Sequence, residues 1–396
     1  MKVLFIDVTC KYGSTGNIVY SLHQSCIANG IESAVCYGRG PKLREPNIHK
    51  FGLNIETYIH AFLTRVTGYT GCFSFFSTRR LIKFIKKFNP DIVHIHELHA
   101  YFVNVVPLLS FLKKRGTKVI FTNHCEFLYT GKCGHSKECT RYQDQCGSCP
   151  HVKDYPASLF FDHTAHMLFQ KKSVFQDWDN CYFTSPSKWL NNKMSLSFLK
   201  DKARFVVHNG IDTKQFFFSG SKTKQGKQKT ILSIAPNIMS DLKGGYRVLE
   251  LAKRFQQEEI NFILVGSDKK ISGELPSNAT ILPRINDKNK LIQLYNSADA
   301  FLICSSNETF PTTSLEAQCC GLPIYGFDVG GVKETIVEGN GILVPFPSID
   351  ALEELIRRQI FKPIDHQAIS KRGIARFSND TMFENYLHLY QGLLGR

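Results

Sequence analysis

The sequence predicts two α/β domains, each built on a doubly wound parallel sheet. Short, nearly continuous apolar runs are typical of strands that are covered on both faces, and helical patterns separate most of them. A chain of 396 residues has room for two or three domains. Strands that alternate with helices favour βαβ units. Because open α/β sheets bind ligands outside the carboxyl ends of their strands, we expect the two domains to face each other across a cleft.

The first domain is predicted over residues 1–205. A helix from about Gly16 to Asn29 follows the first strand, since Ile18, Leu22 and Cys26 recur at helical spacing and Gly30 can end it. The strands of this domain are predicted at 2–8, 32–38, 91–97, 117–124, 180–186 and 203–209.

The second domain is predicted over residues 206–375. A polar stretch rich in Gly and Lys, residues 219–229, separates the two series of apolar runs, so we interpret it as the junction region. A C-terminal helix, 376–396, is expected to return to the first domain. The strands of the second domain are predicted at 229–235, 261–267, 279–285, 299–305, 322–329 and 341–345.

The composition indicates an ordinary globular protein. With 43% hydrophobic and 21% charged residues, disordered, collagen-like and coiled-coil classes are excluded. No apolar run approaches the roughly 20 residues that span a bilayer, and the N-terminus lacks the pattern of a signal peptide. We therefore expect a cytosolic chain.

The positive charge is concentrated in the first half. Residues 1–205 hold 27 Lys and Arg against 14 Asp and Glu, a balance of +13, which leaves +2 of the total of +15 for the remainder. Such a half attracts polyanions, namely nucleic acid, anionic lipid or a polyanionic substrate, although general solubility would also explain it. No RNA-recognition motif accompanies the charge.

Two acids mark the most informative stretch, residues 305–334. Glu308 follows a predicted strand, and Glu316 lies seven intervening residues later, within a predicted helix. The amino terminus of a helix suits a diphosphate, because its N–H groups are free and its dipole is positive there. Thr313 with Glu316 also fits a capping box, so a plain helix cap is the alternative for Glu316.

This stretch resembles the family 4 retaining glycosyltransferases, which have two Rossmann-like domains in the GT-B architecture. The resemblance implies that Glu308 contacts the donor sugar and Glu316 the nucleotide ribose. Backbone N–H groups around Phe310, Thr312 and Thr313 would then face the diphosphate of a UDP- or GDP-sugar. Many relatives have Gly where this chain has Pro311, which supplies no N–H.

Lys243, in the sequence DLKGG, resembles the family element whose cation contacts the donor diphosphate. A surface lysine at a helix start is the alternative. The Arg that often precedes this Lys in the family is missing here, so phosphate neutralisation is expected to depend on Lys243 and backbone N–H groups.

A Gly-containing loop follows the first strand, with Gly13 and Gly16 resembling the family turn that approaches donor or acceptor. A plain turn is nearly as good an interpretation. The loop lacks the patterns of a P-loop and of a dinucleotide-binding turn, so neither ATP hydrolysis nor nicotinamide binding is supported.

Histidines occur at the ends of two predicted strands of the first domain. His124 aligns with a family histidine near the transferred sugar, and imidazole suits hydroxyl recognition near neutral pH. His96, Glu97 and His99 lie towards the carboxyl end of the preceding strand and are candidates for acceptor recognition. His94 alternates with His96 and can equally be a packed strand residue.

Four of the 13 cysteines crowd into a polar insertion at about 125–155. This insertion resembles that of the colanic-acid subset of these transferases. Four thiolates can form a tetrahedral structural zinc site, while disulfides or free thiols are the alternatives; a catalytic metal is not expected, because four Cys ligands leave no open position. The four are Cys133, Cys139, Cys146 and Cys149.

The segment 58–90 interleaves aromatic and basic residues, as a membrane-interface element does, although an ordinary amphipathic helix fits equally. The resemblance as a whole implies a retaining, metal-independent enzyme of surface polysaccharide assembly, such as lipopolysaccharide or capsule. Its acceptor would be a lipid-linked glycan at the inner membrane surface. A nucleotide-sugar epimerase and a catalytically inactive assembly partner are the alternatives, and a glycoside hydrolase ranks lower because it needs no phosphate site.

Overall fold

The structure is a computed structural model that describes residues 1–220, 228–267 and 274–395. The chain divides into two compact units. The first unit contains residues 1–208 and the C-terminal residues from Phe383 onward, and the second contains Asn209–Met382. The predicted junction region therefore belongs to the second unit, and its residues 221–227 lie outside the described residues.

The first unit contains a seven-stranded parallel sheet in the order β3-β2-β1-β4-β5-β6-β7. Six strands occur where the sequence predicts them, and the short edge strand β3 was not predicted. The strands are β1 Lys2–Asp7, β2 Glu32–Tyr37, β3 Ile48–Lys50, β4 Ile92–Ile95, β5 Lys118–Thr122, β6 Cys181–Ser185 and β7 Arg204–Val206. The helices are α1 Gly13–Ala28, α2 Asn54–Thr67, α3 Phe75–Phe88, α4 Val105–Arg115, α5 Thr164–Phe175 and α6 Lys188–Ser195.

The second unit contains a six-stranded parallel sheet in the order β10-β9-β8-β11-β12-β13. The strands are β8 Lys229–Ile234, β9 Ile260–Val265, β10 Ala279–Leu282, β11 Ala300–Ile303, β12 Ile324–Phe327 and β13 Gly341–Val344. The helices are α7 Gly245–Arg254, α8 Lys288–Ser297, α9 Thr312–Cys319, α10 Ile349–Gln359, α11 His366–Phe377 and α12 Asn379–Leu394. The predicted fold class, two doubly wound parallel-sheet domains, is confirmed.

Each sheet is buried on both faces, which explains the continuous apolar runs. In the first unit, Leu4, Val93 and Phe121 of adjacent strands are at most 2% exposed. Leu232 and Phe301 occupy the same kind of position in the second unit. Within each sheet the strand order reverses next to the first strand, between β1 and β4 and between β8 and β11. Such a switch point opens a crevice at the carboxyl ends of the strands.

The last helix links the two units through the chain. Residues of α12 up to Met382 belong to the second unit, and those from Phe383 belong to the first. Tyr386 and Tyr390 are buried in the first unit, where they reach the polar ends of β4 and β5. Among the described residues, no helix combines the length and the hydropathy that crossing a membrane requires.

Candidate active site

Lys243 and Glu308 meet at the switch point of the second sheet. Lys243 follows β8, Glu308 follows β11, and the Lys243 Nζ lies 2.6 Å from the Glu308 Oε1. The Ser305 hydroxyl donates a hydrogen bond of 2.7 Å to the same oxygen. Both ion-pair side chains keep some solvent exposure, 21% and 12%, so a ligand can reach them. Lys243 also lies directly before the N-cap of α7, Gly244, as the alternative of a lysine at a helix start predicts.

Two glycines let the surrounding loops approach each other closely. A Cβ on Gly330 would lie 2.1 Å from the Glu308 carbonyl oxygen, and one on Gly244 would lie 2.2 Å from the Cys304 carbonyl oxygen. Both glycines also have positive φ, +56° and +68°, a conformation that other residues rarely adopt. The backbone N–H of Gly331 then donates to the Glu308 carbonyl at 2.8 Å. These contacts fix the position of Glu308 from its main chain.

The loop after β11 leads directly into α9. Pro311 is the N-cap, and Thr312 and Thr313 form the first turn, where helical N–H groups lack intrahelical acceptors. Pro311 thus stands outside the helix and removes no intrahelical hydrogen bond. The Phe310 side chain is only 5% exposed and packs edge-on against Phe377. A ligand can therefore use the backbone here but not the Phe310 ring.

Glu316 lies on α9 and accepts a 2.8 Å hydrogen bond from the Tyr295 hydroxyl through its Oε2. Burial raises the pKa of Glu316 to about 7, against the opposing effect of that hydrogen bond. The capping-box interpretation is wrong, because α9 begins at Thr312 and Thr313 is already inside it, with no side-chain cap. Tyr295 was not predicted: it lies on α8, where its aromatic ring fits the ordinary apolar pattern.

Arg247 brings a second cation to this edge of the sheet. Its Nη1 donates to the Cys304 carbonyl at 3.1 Å, and its guanidinium stacks over the rings of Tyr246 and Phe346, with centroids 4.6 and 4.9 Å away. The arginine that the sequence lacks before Lys243 thus has a counterpart four residues after it. Sequence reasoning missed this residue because it searched only upstream of Lys243.

In the first unit, His124 and His96 form a stacked pair at the carboxyl ends of β5 and β4. The His96 Nδ1 lies 2.9 Å from the His124 Nε2, and the ring planes are within 14° of parallel. Burial lowers the pKa of His124 to about 4 and that of His96 well below its usual value. Both rings are therefore neutral at physiological pH, and hydrogen bonding rather than positive charge is what they offer a ligand.

His94 is a packed strand residue, as one of the two interpretations held. Its Nδ1 pairs with the Tyr390 hydroxyl at 2.7 Å and its Nε2 with the Thr122 hydroxyl at 2.6 Å. Burial lowers its pKa to about 3. Because both ring nitrogens already pair with hydroxyl groups of the protein, His94 has no free ring nitrogen with which to hydrogen-bond a substrate.

Glu97, His99 and Cys125 form a compact polar cluster beside this pair. The Glu97 Oε2 lies 2.7 Å from the His99 Nδ1 and accepts from the Cys125 thiol at 3.2 Å. Burial disfavours the charged form of each side chain, but the attraction and the hydrogen bond between Glu97 and His99 outweigh it. The pKa of Glu97 therefore falls, and that of His99 rises well above its usual value. Among the described residues, this is the only group of three or more His, Cys, Asp or Glu side chains whose potential metal-ligand atoms all lie within 4.8 Å of one another.

Asp7 ends β1 at the same switch point and was not predicted as a site residue. It is fully buried, and burial together with the nearby Glu97 charge raises its pKa to about 7. Its Oδ1 has no hydrogen-bond partner among the described residues. In the sequence Asp7 belongs to an apolar strand, so it did not stand out as a site residue. An acidic residue that ends a strand at a switch point is nevertheless a signal by which it could be recognised.

The predicted glycine loop is a helix start. The sequence predicts a helix from about Gly16, whereas α1 begins three residues earlier, at Gly13. Gly13 has φ of +69°. Gly16 is buried, and a Cβ on it would lie 2.5 Å from the Thr9 Oγ1. The structure therefore gives Gly16 a packing role against the β1 loop.

The four clustered cysteines line a single cavity in the insertion after β5. All four are free thiols in this structure. No three of their sulfur atoms lie within 4.8 Å of one another. The structure thus places the four predicted cysteines around one cavity, but their sulfur atoms are not close enough to one another to coordinate one metal ion.

Comparison with known proteins decides the family. The model described as Glycosyltransferase Family 4 matches residues 15–215, and the model described as Glycosyl transferases group 1 matches residues 215–376. The chain belongs to glycosyltransferase family 4. This glycosyltransferase is 23% identical to WcaC of Escherichia coli K12, named as a colanic acid biosynthesis glycosyl transferase, with 99% of this chain and 100% of WcaC aligned.

Solved structures agree with the fold of this family 4 glycosyltransferase. Sucrose-phosphate synthase of Thermosynechococcus elongatus has a TM-score of 0.70 at 17% identity and covers 100% of this chain and 99% of its own. Anabaena Alr3699/HepE in complex with UDP-glucose has a TM-score of 0.66 at 13% identity, covering 99% and 100%. The GT-B fold class predicted from the sequence is confirmed.

Proposed function

We propose that this glycosyltransferase moves a sugar from a nucleotide diphosphate sugar to a lipid-linked glycan during bacterial surface polysaccharide assembly, with retention of anomeric configuration. The observation that carries the proposal is the Lys243–Glu308 pair at the switch point of the second sheet, next to the start of α9. A cation, a sugar-binding carboxylate and a helix amino terminus are the three groups that a sugar diphosphate requires.

The donor would occupy the second unit. Lys243 would bind the diphosphate, the backbone of the first α9 turn would bind its oxygens, and Glu308 would accept hydrogen bonds from sugar hydroxyls. Glu316, held by Tyr295, would accept from the ribose hydroxyls. A structural neighbour that is solved with UDP-glucose supports a nucleotide sugar as the donor, either a UDP-sugar or a GDP-sugar.

Catalysis in this proposal needs no metal, because Lys243 and Arg247 supply positive charge for the leaving diphosphate. The bond between the sugar C1 and the diphosphate oxygen breaks, and an acceptor hydroxyl oxygen bonds to C1 on the same face. The hydroxyl proton passes to the departing diphosphate oxygen. Preorganised charge is typically the largest contribution to such a step; removing one oxyanion donor costs about 10²–10³ in rate in well-studied enzymes.

The acceptor would use the polar groups at the carboxyl edge of the first sheet. His124 would hydrogen-bond hydroxyls as a neutral imidazole, with its ring orientation set by His96. Glu97 and His99 form a charged pair that can bind further polar groups of a glycan.

Exposed apolar side chains on the first unit support a lipid-linked acceptor. Large apolar side chains are exposed here on α2, at the start of α3, on the loop before α5 and on α5. The most exposed are Tyr58 at 75%, Ile55 at 72%, Phe160 at 71%, Phe169 at 66%, Phe76 at 65% and Phe62 at 63%.

Contacts within the unit tie these segments together. Glu56 on α2 accepts hydrogen bonds from the backbone N–H groups of Phe76 and Ser77, which fixes the start of α3 against α2. The N–H of Leu159 donates to the Arg65 carbonyl at 2.8 Å, so the aromatic loop joins the end of α2. These contacts place α2, the start of α3 and the aromatic loop next to one another. We call the exposed apolar side chains of these segments and of α5 the docking surface.

The charge of the docking surface suits an anionic bilayer. Residues 57–90 include no Asp or Glu and six basic residues. Apolar burial combined with electrostatic attraction is how interfacial elements bind anionic lipid, and each basic residue near such a surface contributes about 1 kcal/mol. We therefore propose peripheral binding to the cytoplasmic face of the cell membrane.

Donor binding and turnover test the function. The purified chain is titrated with UDP-glucose, GDP-mannose and their free nucleotides by calorimetry, and sugar products are analysed with and without lipid-linked acceptor. We expect a nucleotide sugar to bind and to be consumed only with acceptor; Lys243→Met should lower turnover at least a hundredfold. Epimerised donor without acceptor would favour an epimerase, and no binding of any nucleotide would favour an inactive assembly partner.

Vesicle co-sedimentation tests the docking surface. The double variant Phe62→Ser/Phe76→Ser should bind anionic vesicles at least tenfold more weakly than wild type, because burying each phenyl ring contributes about 2 kcal/mol. Phe361→Ser, at an exposed phenylalanine of the second unit, serves as the control. Equal binding of the double variant and wild type would refute this surface without affecting the donor site.

A further inference from the structure

The insertion between β5 and α5 is long and almost free of regular structure. From the end of β5 at Thr122 to the start of α5 at Thr164, the chain forms only a three-residue 3₁₀ helix, Arg141–Gln143. Irregular segments of this length are uncommon in compact domains. Small or irregular regions that cannot bury enough apolar surface are commonly held by a cross-link or a metal.

The cavity at the centre of this insertion is lined by sulfur. Cys133, Cys139, Cys146 and Cys149 all border it, together with Thr130, Lys132 and Tyr142. Their spacing along the chain ends in a C-x-x-C pair, and none of the four is in a disulfide. Four thiols around one space are the complete ligand set of a closed tetrahedral zinc site.

Two buried lysines border the same region, and neither has a carboxylate partner among the described residues. The Lys132 Nζ donates only to backbone carbonyls, those of Val152 and Pro156 at 2.6 Å and of Asp154 at 3.0 Å. Its residue is 2% exposed. Across the part of the chain that the structure describes, no salt bridge involves this ammonium group.

Lys171 on α5 is in the same situation. It is 4% exposed, and its Nζ donates to the carbonyls of Phe127 at 2.6 Å and Thr130 at 2.7 Å. No carboxylate pairs with it among the described residues. A buried ammonium group without a counter-ion is costly. An anionic centre in the cavity, which Lys132 lines and whose Cys146 interacts electrostatically with Lys171, would stabilise both lysines in their charged form.

The neighbouring acids have other partners. Asp154 pairs with Lys137 and His151 on the surface. Asp162 accepts from the Cys149 backbone N–H and from Thr164. Among the described residues, neither carboxylate forms an ion pair with the two buried ammonium groups, so the cysteines that line the cavity are the groups that can supply negative charge at shorter range.

We propose that the four cysteines bind one structural Zn²⁺ and that Lys132 and Lys171 neutralise the resulting centre. On binding, four S–H bonds break, four Zn–S bonds form and four protons leave to solvent. Four thiolates and one Zn²⁺ carry a net charge of −2, and the two lysines carry +2. The sulfur atoms must move closer together than in this structure to bind the ion, which would tighten the insertion.

Metal content of the purified full-length chain tests the site. We expect one zinc per chain by mass spectrometry of the elements, and a sulfur-to-cobalt charge-transfer band after exchange with Co²⁺. Cys146→Ser should lose at least nine-tenths of the zinc, while Cys72→Ser, at a cysteine outside the cavity, should keep it. Absence of zinc from wild type grown with added zinc, with the four thiols free or paired as disulfides, would overturn the proposal.

A matched lysine pair tests the charge argument. Lys171→Met should speed zinc loss to a chelator at least tenfold, whereas Lys172→Met, at the adjacent exposed lysine, should leave it unchanged. Equal rates for the two variants would overturn the neutralising role. If Lys171→Met does not fold, Lys132→Met takes its place in the same chelator assay, with Lys153→Met, at an exposed lysine, as its control. Equal rates for that pair would likewise overturn the neutralising role.

Discussion

Glu316→Gln should stabilise the protein at alkaline pH while it weakens donor binding. Glu316 is half-buried, and only the Tyr295 hydroxyl donates to its carboxylate at hydrogen-bond distance among the described contacts. Burial raises its pKa from 4.5 to about 7. The folded protein therefore disfavours the ionised form of Glu316. Glutamine keeps an acceptor for Tyr295 and has no charge to bury.

The magnitude and the sign follow from linkage. A rise from 4.5 to about 7 corresponds to about 3 kcal/mol as an upper bound. Since the folded pKa is raised, the contribution of Glu316 to stability is complete below pH 4.5 and is lost as the pH rises through about 7. Glutamine does not titrate, so its advantage should be absent at pH 4 and full at pH 8. Allowing half of the bound, we expect a gain of about 1–2 kcal/mol, or roughly 2–8 °C in Tm.

Thermal unfolding of wild type and variant between pH 4 and pH 8 provides the assay. Glu338→Gln, at an exposed glutamate of the same unit, is the control and should give a flat difference. Calorimetry at pH 8 should show weaker nucleotide binding by Glu316→Gln, because the ribose loses its charged acceptor. A variant that is less stable than wild type at pH 8, or a difference that does not change with pH, would refute the reasoning.

Two further changes probe the first unit. Tyr390→Phe should lower the free energy of unfolding by about 1–3 kcal/mol, because it leaves the buried His94 Nδ1 without its 2.7 Å partner; denaturant unfolding measures this, with the exposed Tyr58→Phe as the control, and equal stabilities would contradict it. Glu97→Gln should lower the pKa of His99, whose rise depends on the Glu97 charge, as seen by NMR titration of the imidazole; an unchanged titration would show that another group holds the proton.

Elements of the two sheets could be predicted because burial on both faces leaves a strong local signal. Apolar runs such as residues 2–8 and 229–235 mark β1 and β8 to within one residue. The edge strand Ile48–Lys50 was not predicted, because three residues with one buried position are too few to show an alternating apolar pattern. The start of α1 at Gly13 escaped because glycine argues locally against a helix, and tertiary packing against Thr9 overrides that preference.

Site residues divide in the same way. Glu308 and Lys243 could be predicted from short motifs, and the structure brings them together although 65 residues separate them. Tyr295 and Arg247 could not, since a tyrosine on an apolar helix face and an arginine in a helical turn are ordinary in sequence. Their relevance comes from contacts that only the folded sheet creates.

The tyrosines of α12 impose an order on biosynthesis. The hydroxyl groups that complete the polar ends of β4 and β5 lie 296 and 264 positions further along the chain. While the ribosome is still translating the second unit, His94 and Thr122 pair with each other but lack these tyrosine partners. A nascent chain stalled before Tyr386 is therefore expected to hold its first unit less stably than the full-length chain.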